Sequence, residues 1–227
     1  MRTESKDPLY ARYLVYLTRP FPDFDFSFIK PVRQKAVNLL NLKPGDRALD
    51  AGCGSGGSFP YLHKSVGSSG EIVGVEISPR TATNTRKRIS KNKWENVHVI
   101  EADARKVRLT GKFDGLLMFA APDVFASEEA LSNIFPYLKE NARVAIFGAK
   151  ISGRPFGWLL NGLLRKASAG LSFTSTPKVE SEPWTVLSKR LTEINIEEYF
   201  FGWMFVAWGI AANEQTEREN ITSAHHN

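Results

Sequence analysis

Short apolar runs alternate with stretches of helical periodicity through the middle of the chain. The first run ends at Leu49, and the later ones occupy residues 71–77, 97–100, 113–120 and 143–149. Helical patterns start at residues 31, 59 and 80, before or between these runs. Short buried strands separated by helical segments are typical of parallel sheets with crossover helices. The pattern therefore predicts an α/β fold.

The most apolar stretch lies near the end of the chain, at residues 199–212. It is shorter than the ~20 residues that a membrane-spanning helix needs. Its dense β-branched and aromatic residues favour a pair of buried strands instead. We expect these strands at residues 194–200 and 203–210, with a turn near Gly202.

The segment between the first strand and the first following helix is rich in glycine. Residues 47–57 read RALDAGCGSGG, with Asp50 at the expected strand end and Gly52, Gly54 and Gly56 after it. Glycine lacks Cβ, so such a loop can turn tightly and bring its N–H groups against a ligand. The next helix N-terminus adds unpaired donors and a partial positive charge. At the end of a first parallel strand, this loop predicts a nucleotide-type site.

Two classes of enzyme use a loop of this kind. Residues 52–57 satisfy G-x-G-x-x-G, the dinucleotide fingerprint, which alone is a weak signal. Asp50 extends the pattern to D-x-G-x-G-x-G, which resembles motif I of the class I S-adenosylmethionine-dependent methyltransferases. A dehydrogenase is disfavoured because a long segment precedes the loop and the chain ends in an aromatic strand pair.

The resemblance continues at later strand ends and implies how the cofactor, S-adenosylmethionine, is held. The glycine loop would wrap the methionine part of the cofactor. Glu76 matches the acid that accepts the ribose hydroxyls, and the next residue, Ile77, would pack on adenine. Asp103 matches the acid that accepts from the adenine amino group. The expected cofactor-binding residues are Asp50, Gly52, Gly54, Gly56, Glu76, Ile77, Asp103, Ala104 and Phe119.

The same resemblance implies a seven-stranded, mostly parallel sheet with a final antiparallel strand and helices on both faces. S-adenosylhomocysteine would be the product. We expect one methyltransferase domain over residues 1–212, followed by a polar tail at 213–227. Within the domain, residues 1–40 would form an N-terminal lid with helices, and residues 151–180 an insert over the acceptor site.

The composition limits which cellular compartment and which binding partners are expected. The single cysteine, Cys53, excludes a disulfide framework, and the first ten residues lack the apolar core of a signal peptide. We therefore expect a cytoplasmic protein. With one Cys and four His, no metal site is predicted. The net charge is +6, and six basic residues fall within residues 80–93, where a solvated helix face is favoured over a nucleic-acid surface.

Two segments outside the motif are candidates for the methyl acceptor. Tyr10, Tyr13 and Tyr16 share one helical face, as in the N-terminal lids of methyltransferases of the menaquinone-biosynthesis type, or as in a helix that simply packs by its aromatic side. Residues 156–164 carry an amphipathic stripe with apolar positions at i, i+3, i+4, i+7 and i+8. This stripe covers an acceptor pocket or the core, or it lies on a membrane surface, in which case the protein has peripheral membrane contact.

These features predict methyl transfer to a small-molecule or amphiphilic, lipid-like acceptor by in-line displacement. The alternatives are an RNA or protein methyltransferase, suggested by basicity alone, and a non-catalytic cofactor-binding module. Residues 119–123 lack the N-P-P-Y/F pattern of methyltransferases that act on nucleic-acid amino groups. No catalytic residue is assigned: Asp123 is interpreted as the cap of a helix that begins near Phe125, and His63 as a surface or packing residue. The oligomeric state is not predicted.

Overall fold

The computed structural model describes residues 29–153, Asn161 and residues 180–212. The strands are β1 (Arg47–Ala51), β2 (Glu71–Glu76), β3 (Val97–Glu101), β4 (Phe113–Phe119), β5 (Leu138–Ala149), β6 (Leu191–Tyr199) and β7 (Met204–Ala211). They form one sheet in the order β3-β2-β1-β4-β5-β7-β6. β1 to β5 are mutually parallel, and β7 runs antiparallel to both of its neighbours. The predicted mostly parallel, seven-stranded sheet with an antiparallel final strand is confirmed.

Helices cover both faces of this sheet, as predicted. One face carries α1 (Lys30–Leu39), α2 (Phe59–Val66) and α3 (Pro79–Asn92), and the other carries α4 (Pro122–Phe125), α5 (Glu128–Ile134) and α6 (Thr185–Ser188). Each face has its own apolar core because successive side chains of a strand point to opposite sides. Along β4, for example, Leu116 joins the core with α5, whereas Leu117 joins the core with α1.

The basic helix predicted at residues 80–93 is α3, and its charges are solvated as expected. Arg80, Arg86, Lys87 and Lys91 are exposed, while Ala82 and Thr85 are buried against the sheet. Ser78 caps the N-terminus, where its hydroxyl accepts a hydrogen bond from the backbone N–H of Thr81 at 3.3 Å. Lys93 ends the helix in a left-handed conformation with φ of 55°. The helix is therefore external, as expected, with Arg88 half-buried near the carbonyl of Ser55, and the preference for a solvated face over a nucleic-acid surface stays a prediction.

The strand pair at the end of the chain forms as predicted, with both strands reaching beyond the expected residues. β6 begins at Leu191 rather than 194, and β7 runs from Met204 to Ala211. The turn includes Gly202 at φ of 83°, but Phe200 and Phe201 also have positive φ values of 50° and 57°. Phe201 is 76% exposed, so this turn presents an aromatic side chain at the carboxyl edge of the sheet.

Several predictions fall on residues outside the described ranges. They are the tyrosines at the N-terminus, the amphipathic stripe at 156–164 and the tail at 213–227. The domain boundaries drawn from them stay predictions. None of the helices among the described residues is both long and apolar enough to cross a membrane.

Candidate functional site

The glycine loop lies at the carboxyl end of β1, between β2 and β4. The backbone N–H groups of Gly52 and Cys53 both donate to the carbonyl of Val75, at 2.9 and 3.0 Å, which fastens the start of the loop to β2. Gly52, Gly54 and Gly56 all have positive φ, at 81°, 55° and 78°. The alternate glycines of the sequence are therefore required by the backbone conformation.

The three glycines differ in what surrounds them. A Cβ at Gly52 would lie 2.5 Å from the Cβ of Ala121, and one at Gly56 would lie 2.7 Å from the ring of Phe59. A Cβ at Gly54 would meet nothing within 4 Å. Packing therefore explains Gly52 and Gly56, whereas Gly54 borders open space that a ligand can occupy.

Glu76, the last residue of β2, fixes this loop from the side. Its carboxylate accepts hydrogen bonds from the backbone N–H of Gly54 at 3.0 Å and of Ser78 at 2.8 Å. Burial raises the pKa of this carboxyl above its usual value, and the backbone donors oppose the rise. A carboxylate has about four acceptor positions, so Glu76 can still accept from ligand hydroxyls. The hydroxyl of Thr85 adds a further tie to the loop, because it donates to the carbonyl of Gly54 at 2.7 Å.

Ile77 follows Glu76 and has 38% of its surface exposed. Its exposure contrasts with β2 itself, whose residues from Ile72 to Glu76 are all buried. An exposed aliphatic side chain beside a buried carboxylate gives the site an apolar surface on which an aromatic ring could pack.

Asp103 follows β3, next to Glu76, since the backbone N–H of Ala102 donates to the carbonyl of Glu76 at 3.0 Å. Its carboxylate accepts hydrogen bonds from the Nε of Arg105 on Oδ1, at 2.9 Å, and from Nη2 on Oδ2, at 2.5 Å, and the pKa of Asp103 is lowered chiefly by this side chain. Sequence reasoning missed Arg105 as its partner. Ala104 is buried, and its carbonyl accepts from the side-chain amide of Asn133 at 3.0 Å.

Phe119, at the end of β4, is buried rather than open to the site. Its ring stacks on that of Phe147 with centroids 4.4 Å apart and planes at 15°. The guanidinium carbon of Arg33 lies 4.2 Å from the centroid of the Phe119 ring. Phe119 is thus part of the floor beneath Arg33.

Asp50 is the least solvated charged side chain of the site, with 1% of its surface exposed. Neither carboxylate oxygen has a hydrogen-bond partner within the part of the chain that the structure describes. Burial raises its pKa to about 7, the charge of Arg33 acts to lower it, and the charge of Glu76 raises it further. A buried carboxylate without a hydrogen bond is costly, and functional sites are where such groups concentrate.

Arg33 is the functional residue that sequence reasoning overlooked. It lies on α1 with 4% exposure and donates from Nη1 to the hydroxyl of Ser58 at 3.1 Å. The helical spacing of apolar residues in the sequence already indicated that position 33 is buried. Positions 33, 36, 37 and 40 are spaced as one helical stripe, and Ala36, Val37 and Leu40 are buried and apolar. An arginine within such a stripe points to a buried partner.

Three other sequence interpretations can be compared with the structure. Cys53 is buried, and burial raises the pKa of its thiol well above its usual value, which fits a small packing residue rather than a nucleophile. His63 stacks on Trp94 with ring centroids 5.6 Å apart, as expected of a packing residue. The interpretation of Asp123 was wrong, because it lies in the first turn of α4, after the N-cap Ala121. The next helix is capped by Ser127.

The described residues offer no group of three or more His, Cys, Asp or Glu side chains that could hold a metal ion. The site consists of the backbone N–H groups of the glycine loop, the buried carboxylates of Asp50 and Glu76, and apolar side chains at its border. Such a surface suits a ligand that carries hydroxyls, positive charge and an aromatic ring.

Comparison with known proteins places these residues in a family. Residues 42–153 match the model of a methyltransferase domain. The chain is similar to a demethylmenaquinone methyltransferase of Lactobacillus johnsonii, with 29% identity over 132 residues that cover 56% of this chain and 54% of the relative. It is also similar to a 2-phytyl-1,4-naphtoquinone methyltransferase of a Nostoc species, with 30% identity over 50% of this chain and 51% of the relative. The chain spans about half the length of these curated relatives.

Solved structures give the same fold at lower identity. A geranyl diphosphate C-methyltransferase of Streptomyces coelicolor superposes with a TM-score of 0.66 and 14% identity, over 81% of this chain and 76% of that one. A SAM-dependent methyltransferase of Aquifex aeolicus superposes with a TM-score of 0.58 and 19% identity, over 79% of this chain and 89% of that one.

Proposed function

We propose that this chain, whose residues 42–153 match the model of a methyltransferase domain, is a class I S-adenosylmethionine-dependent methyltransferase and transfers the methyl group of that cofactor to a small apolar or amphiphilic acceptor. The observation that carries the proposal is the arrangement at the end of β1. A glycine loop with open space at Gly54 lies between the buried carboxylates of Asp50 and Glu76.

The residues present fit S-adenosylmethionine. Its methionine part would lie along the loop that contains Gly52, Gly54 and Gly56. It would contact the backbone at Gly54, because open space borders the loop there, whereas protein side chains pack against the other two glycines. Asp50 supplies a buried negative charge without a hydrogen bond from the described residues, which suits the cationic ammonium and sulfonium groups of the cofactor.

The adenosine part would follow β2 and β3. Glu76 would accept from the ribose hydroxyls with the lone pairs that its backbone donors leave unused. The exposed Ile77 would cover one face of the adenine. Asp103 would accept from the adenine amino group beside its pair with Arg105, and the buried Ala104 lies next to it. Phe119, also expected to bind the cofactor, is buried at the end of β4 beneath Arg33 and so lies away from the adenine.

When bound, S-adenosylmethionine supplies a methyl group on a sulfonium, which is already an activated leaving group. The protein therefore has to hold the acceptor atom in line with the methyl carbon and to exclude water. Orientation of this kind can supply about 7–11 kcal/mol at the upper end. A glycine loop tied to β2 by Val75 and Glu76 gives the rigid support that such alignment needs.

The acceptor class is inferred from the relatives and from the surface near the site. The curated relatives are named for demethylmenaquinone and for a phytyl naphthoquinone, and a third for aklanonic acid, at 28% identity over 52% of this chain. Phe200 and Phe201 lie exposed in the turn at the same edge of the sheet as the glycine loop. Both observations favour an acceptor with a ring and an apolar part.

An acceptor screen with labelled S-adenosylmethionine tests this proposal. Purified full-length protein would be incubated with reduced naphthoquinones, other aromatic hydroxyl compounds, lipid extract, amines and total RNA. We expect label in a reduced quinone or a related ring compound. Label in RNA or protein alone would overturn the acceptor class, and cofactor binding with no label in any acceptor would favour a non-catalytic module.

A further inference from the structure

Among the described residues, two charged groups shift the pKa of Asp50, and they come from two parts of the fold. Arg33 faces it from α1 and Glu76 from β2, with opposite effects on its charge. Cys53, in the loop, is a buried thiol whose raised pKa keeps it neutral. Within the described ranges, Arg33 is thus the cation that acts on this carboxylate, which accepts no hydrogen bond from those residues.

Arg33 also contacts the end of the glycine loop and the end of β4. Its Nη1 donates to Ser58, which directly precedes α2 and is 1% exposed. A Cβ at Gly57 would lie 2.9 Å from the same nitrogen, so Gly57 leaves the room that the guanidinium occupies. On its other side the guanidinium lies over the ring of Phe119 at the end of β4. One buried side chain therefore joins α1, the end of the loop and the sheet.

We propose that Arg33 is a positioning residue of the cofactor site, which acts by holding the buried Asp50 carboxylate ionised and by fixing the end of the glycine loop. This inference rests on the proposed function, since it assigns Arg33 a role toward the positively charged cofactor. Arg33 acts through Asp50 and Ser58 rather than by touching the reacting atoms.

The consequence is a dependence of cofactor affinity on pH. Below about pH 7 Asp50 is mostly protonated and neutral, and above it the carboxylate is mostly charged. Affinity for the cationic cofactor therefore rises as the pH rises through this value. S-adenosylhomocysteine lacks the sulfonium charge, so its affinity should change less over the same range.

The test combines NMR of the ligand-free protein with calorimetry. The carboxyl carbon of Asp50 would be followed from about pH 5 to pH 9 in the wild type, Arg33→Lys and Arg33→Gln. Arg190→Gln is the matched control. Arg190 is also buried, lies over the ring of Phe135 and donates to the hydroxyl of Ser132, but it belongs to the opposite face of the sheet.

We expect Arg33→Gln to raise the Asp50 pKa by roughly one to three pH units, since an opposite charge nearby has an effect of that size. Arg33→Lys should raise it less, and Arg190→Gln should leave it unchanged. A rise of about one unit would reduce the ionised fraction at pH 7 from half to about a tenth, and so lower the affinity for S-adenosylmethionine about fivefold. For a rise of this size, the two affinities should differ least at the highest pH, where Asp50 is mostly ionised in both proteins.

An Asp50 pKa that is the same in Arg33→Gln and the wild type would overturn the proposal, as would an equal shift in Arg190→Gln. If Arg33→Gln does not fold, the NMR titration of the wild type still tests the proposal. The NMR shifts of the Arg33 side-chain nitrogens should then change with the same midpoint pH as the shift of the Asp50 carboxyl carbon. Arg33 shifts that show no change at this midpoint would contradict the coupling. A wild type that binds no cofactor at any pH would refute the proposed function, while the NMR titration would still test Arg33 and Asp50.

Discussion

At the scale of single residues, two acids that look alike in the sequence are held in different ways. Glu76 is the last residue of β2 and Asp50 the last but one of β1, and both are almost fully buried. Glu76 accepts from two backbone N–H groups, whereas neither oxygen of Asp50 is hydrogen-bonded by the described residues. The first can shape the loop while it binds hydroxyls, and the second can supply charge.

Glu76→Gln tests the first of these roles. The amide would place an N–H group against one of the two backbone donors and would lose the charge that strengthens the remaining hydrogen bonds. We expect S-adenosylmethionine to bind more weakly by about 1.5–3 kcal/mol, the usual worth of a hydrogen bond to a charged group. Calorimetry would measure this loss, and Asp103→Asn, which affects one amino contact, should cost less.

The cofactor lacking its ribose hydroxyls serves as the control for Glu76. The wild type should bind this analogue more weakly than S-adenosylmethionine, and Glu76→Gln should bind the two nearly alike. A wild type that binds both equally well would remove Glu76 from the ribose site.

At the scale of elements, α3 shows how the ends of a helix are determined. Ser78 caps its first turn, and Lys93 ends it with a left-handed backbone that favours glycine. Side chains other than glycine are strained there. Thr85, buried on the inner face of α3, donates to Gly54, so the position of this helix bears on the glycine loop.

Lys93→Gly should stabilise the protein, because glycine adopts the left-handed conformation without that strain. The gain should be about 0.5–1 kcal/mol after the greater freedom of glycine in the unfolded chain is counted. Thermal unfolding should show it as a higher Tm. Lys87→Gly, in the interior of α3 on its exposed face, should instead lower stability by about 1 kcal/mol. A lower Tm for both variants would contradict the account of this helix end.

Sequence reasoning recovered the elements better than the contacts between them. Strand ends could be predicted because apolar runs and the glycine loop are local signals. The stacking of Phe119 on Phe147 and the contact of Arg33 with Ser58 could not, since each depends on which elements pack together. The pairing of Asp103 with Arg105 and the burial of Arg33 had local signals, the short spacing and the apolar stripe of α1, that were missed. The backbone of Phe200 and Phe201 was missed because glycine alone was expected to turn the chain there.

At the scale of the whole molecule, the carboxyl edge of the sheet collects the features that the function needs. The glycine loop, Glu76, Ile77 and the exposed turn at Phe201 all lie there. Parallel strands place their carboxyl ends together, which is why open α/β sheets bind ligands at this edge. The insert after β5 leaves the sheet from the same edge, and its stripe at 156–164 lies outside the described residues.

We predict that this stripe borders the acceptor. Leu160→Asp combined with Leu164→Asp should raise the KM for an apolar acceptor strongly and leave cofactor affinity nearly unchanged. Steady-state kinetics and calorimetry would measure the two. If the double variant unfolds, the stripe belongs to the core. If the double variant turns over the acceptor normally, the stripe does not contact the acceptor. Binding of the wild type to anionic vesicles would instead indicate a membrane-surface helix.

The central claim is that the open space at Gly54 holds the cofactor, and calorimetry of Gly54→Val with S-adenosylmethionine tests it most directly. Gly45→Val is the matched control, because Gly45 also has positive φ, at 95°, and lies at the opposite edge of the sheet, just before β1. Both variants place a β-branched residue at a positive φ, with the larger departure from the left-handed region at Gly45, but only the side chain at position 54 would enter the site. We expect the folded Gly54→Val protein to lose binding and Gly45→Val to keep wild-type affinity. Undiminished binding by Gly54→Val would contradict the account.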